Sequence, residues 1–120
     1  MTKAQRRIFI VEDEVLVAFE MTEILEDMGF EVVGPSVHLA DAEEKAQSLA
    51  IDIAFLDVNL GGDLTSEPIA DILRSRGIPF AYITAYDAKQ VGFLRDDDKV
   101  VNKPVSGEVL SNLLQEVLPS

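Results

Sequence analysis

Five polar residues from four separate stretches of this chain could together move a phosphoryl group. They are Glu12 and Asp13, Asp57, Thr84 and Lys103. Carboxylates brought within a few ångströms of one another repel, so either their pKa values rise or a cation settles among them. Mg²⁺ (or Mn²⁺) suits such a place, because Mg²⁺ takes oxygen ligands in near-octahedral geometry and keeps several waters. Asp13 and Asp57 would supply two ligands and the backbone carbonyl of Asn59 a third. Glu12, one residue further back, would act on the metal through a water. Lys103 is a point charge suited to a phosphate oxygen, and Thr84 carries a small hydroxyl donor. Metal, ammonium and hydroxyl would stabilise a transferring phosphoryl group, and Asp57 would be the nucleophile that becomes an aspartyl phosphate.

Taken one at a time, these residues have blander explanations. Asp13 stands where an acid could cap the first helix. A Lys before Pro is an ordinary loop residue, and a Thr in a strand carries no signal. Asp57 is the strongest single case, because it closes the apolar run Ile53–Leu56. Such a run, followed by Gly61-Gly62, reads as a strand buried on both faces, and a carboxylate there costs free energy unless something pairs with it. Gly61-Gly62 follows no G-x-G-x-x-G pattern, and His38 reads as structural.

The elements that must position the five residues alternate along the chain. Arg7–Val11 is a second apolar run, ended by Glu12-Asp13-Glu14. Val17, Met21, Ile24, Leu25 and Met28 recur at helical spacing, with Leu16 and Phe19 off that stripe. Residues 30–35 read as a strand and 39–49 as a helix with Leu39, Ala42, Ala46 and Leu49 inward. Thr65 or Ser66 should cap a third helix with Pro68 in its first turn. Strands over 79–84 and 99–102 follow, separated by a weak helix candidate at 87–94. Ser106 should cap a last helix. Alternating strands and helices imply an α/β fold: a five-stranded parallel sheet with helices on both faces, in the flavodoxin-like order 2-1-3-4-5. That order sets the carboxyl ends of strands 1, 3, 4 and 5 side by side, where the five residues stand.

Composition bounds the rest. At 120 residues with 48% hydrophobic content, the chain is expected to be one globular domain. It has no Cys and one His, which excludes thiol catalysis, disulfides and His-rich metal sites. A net charge of −12 argues against nucleic-acid or membrane surfaces as partners. No apolar run approaches the about 20 residues of a membrane span, and no signal-peptide core follows the basic start, so a cytoplasmic location is expected.

The stretches Phe9-Ile10-Val11-Glu12-Asp13-Glu14, Phe55-Leu56-Asp57-Val58-Asn59-Leu60, Ile83-Thr84-Ala85 and Asn102-Lys103-Pro104 resemble the response-regulator receiver (CheY-like) domain of two-component signalling. The resemblance implies one receiver domain over 1–120, with 1–6 a disordered basic N-terminus. It implies Asp57 as phosphoacceptor, Glu12 and Asp13 as the metal-binding acid pair, Thr84 as switch hydroxyl and Lys103 as phosphate-binding lysine. It also implies a phosphohistidine donor, either a sensor histidine kinase or a histidine phosphotransfer protein, and a downstream protein partner. With no helix-turn-helix or enzyme motif after it, a stand-alone receiver or one cut from a longer protein is expected.

Three positions depart from the common pattern: Gly61 where Pro is usual, a short interval between Thr84 and Lys103, and Val100 where most receivers carry a switch aromatic. Pro79-Phe80-x-Tyr82-x-Thr84-x-Tyr86 is similar to the motif of the FAT GUY subfamily of single-domain receivers, which typically lacks that aromatic. Tyr86 is accordingly expected to act in the switch with Thr84. Two alternatives stand beside this. A haloacid-dehalogenase-type phosphatase also uses an Asp nucleophile, Mg²⁺, Thr and Lys, but places the nucleophile after the first strand. A flavin-binding flavodoxin-like module needs a phosphate-cradling loop there, where this chain has Glu12-Asp13-Glu14.

Overall fold

The run Ile53–Leu56 becomes the middle of the sheet because only there can it lose all contact with water. In the computed structural model, which describes residues 6–61, 64–85, 92–95 and 97–118, strand β3 spans Ile53–Asp57 and every residue of it is buried. Strand β1 (Arg7–Val11) flanks it on one side, with Ile8 to Val11 aligned on Ile53 to Leu56. Strand β4 (Phe80–Thr84) flanks it on the other, with Asp57 opposite Ile83. Strands β2 (Glu31–Ser36) and β5 (Lys99–Asn102) form the edges. All pairings are parallel and the order is β2-β1-β3-β4-β5, as the alternation of elements predicts.

Side chains alternate across the sheet and build two cores. Phe9, Leu56 and Tyr82 face helices α2 (Leu39–Ser48) and α3 (Glu67–Arg76). Ile10, Phe55 and Ile83 face helices α1 (Val15–Asp27) and α4 (Gly107–Val117). Helices this short are marginal alone. Burial of Met21 and Leu25 on α1, or Leu110 and Leu114 on α4, stabilises each docked helix by about 1.5–3 kcal/mol per side chain. That exceeds what propensity supplies.

Helix ends follow local chemistry. The Ser106 hydroxyl accepts the Val109 N–H at 3.2 Å, the expected cap. At α3, Ser66 occupies the cap position without a side-chain cap bond, while Thr65 Oγ1 accepts the Glu67 N–H at 3.3 Å. Helix α3 ends at Gly77, whose φ of 71° is left-handed. On α1 the buried stripe includes Ala18, which the sequence pattern passes over. Met28 lies past the end of that helix and is exposed.

Most of the weak helix candidate at 87–94 lies outside the described residues; the described 92–95 form no helix. Of the basic N-terminus, 1–5 lie outside them too, and the Arg6 carbonyl accepts the Glu31 N–H at 2.9 Å. Among the described residues no helix is long and apolar enough to cross a membrane.

Candidate functional site

Parallel pairing brings the ends of β1, β3, β4 and β5 to one edge of the sheet. Asp57 is the last residue of β3 and Thr84 the last of β4. Glu12 and Asp13 follow β1, and Lys103 follows β5. The Lys103 N–H donates to the Thr84 carbonyl at 2.8 Å, extending the β4–β5 ladder to the lysine itself. The side chains of Asp57, Glu12 and Thr84 are buried. Glu14, not Asp13, occupies the cap position of α1, so Asp13 is free of that duty.

One carboxylate oxygen from each of Glu12, Asp13 and Asp57 lies within 4.8 Å of the others. Lys103 closes the group. Its Nζ donates to Asp57 Oδ2 at 3.2 Å and to Glu12 Oε1 at 3.2 Å. Glu12 Oε2 is buried 3.1 Å from the same nitrogen without a hydrogen bond of its own. It has a lone pair open to a cation. Glu12 Oε1 also accepts the Glu14 N–H at 3.1 Å, which fixes the side chain.

Charge does not balance here. Burial pushes the Asp57 carboxyl up to about 8, hydrogen bonding to Glu12 and Asp13 adds to the rise, and Lys103 opposes it. Burial would lower Lys103, but Glu12 and Asp57 outweigh it and raise the ammonium to about 12. The two shifts pull against each other, since a neutral Asp57 would weaken its pair with Lys103. The ammonium stays charged and the Asp57 carboxyl lies above the ordinary carboxylate range, because three acids gather beside one ammonium and a proton can stay among the acids. A divalent cation would relieve the same excess, so the donor set fits Mg²⁺ or Mn²⁺.

The loop after β3 shapes the open side. Val58 donates to the Ile83 carbonyl at 2.9 Å, and Asn59 bridges to Thr65. Gly61 has φ +94°, and a Cβ there would lie 3.7 Å from Asp13 Oδ2. A proline, held near φ −65°, could not take this conformation. Tyr86 lies outside the described residues.

The site edge runs into an apolar rim. Val15, Leu16 and Phe19, in the first turns of α1, are 66%, 78% and 61% exposed. A separate groove of 330 Å³ lies between α1 and the chain after β5, lined by Glu14, Val17, Glu20, Met21, Lys103, Pro104 and Val105.

Sequence reasoning did not single out three features. Glu14 Oε1 lies 3.4 Å from Lys103 Nζ, a third acid on the lysine; the unbroken Glu12-Asp13-Glu14 run was its signal. Arg74 pairs with Asp98 and sits over the Phe80 ring, 5.1 Å from its centroid. Tyr82 packs edge-on to Phe80 and Phe93 and is the register partner of Val100.

Residues 8–115 match the family described as Response regulator receiver domain. The transcriptional regulatory protein PdtaR of Mycobacterium tuberculosis is 28% identical over 86 residues, which cover 72% of this chain and 42% of that protein. The phyllosphere-induced regulator PhyR of Methylorubrum extorquens is 25% identical over 118 residues, 92% of this chain and 43% of that protein. The chain thus spans less than half the length of these curated relatives. The solution structure of SdrG from Sphingomonas melonis superimposes with a TM-score of 0.79 at 33% identity, covering 97% of this chain and 98% of SdrG. SdrG has also been solved in a BeF3-activated conformation.

Proposed function

The chain belongs to the response regulator receiver family, and from that premise we propose that Asp57 is its phosphoacceptor. The observation that carries this is the placement of Asp57 Oδ2 3.2 Å from Lys103 Nζ, inside a group of three acids whose oxygens lie within 4.8 Å. A deprotonated Asp57 oxygen attacks phosphorus of a phosphohistidine. The phosphorus–oxygen bond forms, the phosphorus–nitrogen bond breaks, and the electron pair returns to the imidazole, which takes up a proton. Lys103 holds a phosphoryl oxygen, and the Thr84 hydroxyl donates to another.

Asp13, Asp57 and the carbonyl of Asn59 would hold Mg²⁺ (or Mn²⁺), with Glu12 beside them through a water. That ion supplies charge neutralisation at the acids and at the phosphoryl oxygens. With the ion bound, Asp57 would be ionised at neutral pH, which the metal-free carboxyl, near 8, would not be.

Phosphorylation draws Thr84 toward the new phosphoryl group and so changes the surface at the end of β4, with Tyr86 following. The donor is a sensor histidine kinase or a histidine phosphotransfer protein docking on Val15, Leu16 and Phe19. A downstream protein reads the changed surface, and neither nucleic acid nor membrane is a partner. The protein is regulatory, works in the cytoplasm, and residues 1–120 act as one receiver domain. The BeF3-activated form of SdrG supports this reading. The phosphatase and flavin alternatives are not supported, because Asp57 ends the third strand and acids occupy the loop after the first.

The test is mass spectrometry after acetyl phosphate treatment in Mg²⁺. Wild type should gain one phosphoryl group and Asp57→Asn none. Turnover of acetyl phosphate without a labelled protein would favour a phosphatase.

A further inference from the structure

Lys103 is shared among more acceptors than phosphoryl capture requires. Its ammonium has three N–H donors, and three carboxylates surround it: Asp57 Oδ2 at 3.2 Å, Glu12 Oε1 at 3.2 Å and Glu14 Oε1 at 3.4 Å. The first two are buried. The third is on the surface, with its side chain 63% exposed. Glu14 sits at the cap position of α1 but makes no side-chain cap bond, so its carboxylate does not serve the helix. It lines the groove beside Lys103.

We propose that Glu14 is a positioning residue for phosphoryl capture: it holds the Lys103 ammonium toward the rim and competes with the phosphoryl group on Asp57 for it. A phosphoryl oxygen needs an N–H that Lys103 already spends on a carboxylate. The Glu12 contact is anchored, because Glu12 is buried and tied to the Glu14 N–H. The Glu14 contact is long, exposed and screened, so it is the one that yields. Its strength then sets how readily Lys103 is released. This inference rests on Asp57 as phosphoacceptor, so labelling of wild type by acetyl phosphate is checked first.

The experiment is calorimetric titration of the 120-residue chain with beryllofluoride in Mg²⁺. Glu14→Gln removes the charge and the ion pair. Glu14→Asp keeps the charge but draws it back by one methylene, out of reach of Lys103. Both should bind beryllofluoride about two- to fivefold more tightly than wild type, the range an exposed ion pair spans. Their melting temperatures should match wild type. A gain in Glu14→Gln alone would mean that bare charge acts, and the proposal falls. It falls equally if neither variant gains or if either binds more weakly. An unlabelled wild type overturns the phosphoacceptor reading together with it; a labelled wild type with no gain overturns this inference alone.

Discussion

Arg74 Nη2 donates to both carboxylate oxygens of Asp98, at 2.9 and 3.0 Å. The pair ties the last turn of α3 to the residue just before β5, the strand that leads to Lys103. Asp98 also accepts the Arg95 N–H at 2.8 Å and its side chain is 7% exposed. Removing one partner of a buried pair leaves the other charge uncompensated. Asp98→Ala should therefore destabilise the fold by about 3 kcal/mol, the low end of that class because Arg74 stays partly hydrated. Urea unfolding measures it. A loss below about 1 kcal/mol would place the pair among ordinary surface ion pairs.

Asp57 gives the fold a pH dependence whose sign is fixed by its raised pKa. Without metal, its carboxyl is near 8 in the folded chain against an ordinary value of 3.8. The folded state therefore holds a proton that the unfolded state has released. Its contribution to stability is full below about pH 4 and is lost as pH rises toward 8. In chelator, Asp57→Asn should gain stability relative to wild type, and the gain should be larger at pH 8 than at pH 5. Thermal unfolding of both proteins at the two pH values checks this; an equal difference at both would mean that Asp57 does not titrate in that window.

The strand ends were legible in the sequence because a parallel sheet leaves little choice about where they meet. Apolar runs closed by Glu12 and Asp57 mark strands on their own, and the strand order then sets Lys103 beside them. Side-chain reach is less legible. Nothing in the spacing of Arg74 and Asp98 marks them as a pair, since α3 must first pack on the sheet. Val100 reads as a missing aromatic on β5, yet its register partner Tyr82 brings aromatic bulk beside it from β4. Ala18 is a small residue that a hydrophobic stripe passes over, although close helix–sheet packing favours small side chains.

Mg²⁺ should stabilise the folded chain. Three carboxylates around one ammonium leave excess negative charge, and Glu12 Oε2 is buried without a hydrogen bond. A ligand at ~100 times its dissociation constant adds about 2.7 kcal/mol. The melting temperature should rise in millimolar Mg²⁺ relative to chelator, and Asp13→Asn should reduce the rise. Identical melting curves would remove the ion from the site.

Phe19 separates docking from chemistry. It stands one turn into α1, 61% exposed, between the buried Ala18 and the exposed Glu20. Truncating a side chain so open to solvent costs little, so Phe19→Ala should stay within about 0.5 kcal/mol of wild-type stability. Acetyl phosphate is small and needs no helix face, so its labelling of Asp57 should be unchanged. On the docking face proposed above, a protein donor would bring a phosphohistidine to Asp57 over the rim formed by Val15, Leu16 and Phe19. An aromatic at the centre of such a contact is worth more than 1 kcal/mol when truncated. Phosphotransfer from a histidine kinase that labels wild type should therefore require roughly tenfold more Phe19→Ala for the same rate, since about 1.4 kcal/mol is a factor of ten. The measurement is initial phosphotransfer rate against receiver concentration. Unchanged transfer with unchanged stability would move the donor to another face, and slowed labelling by acetyl phosphate as well would show that Phe19 acts on the site rather than on docking.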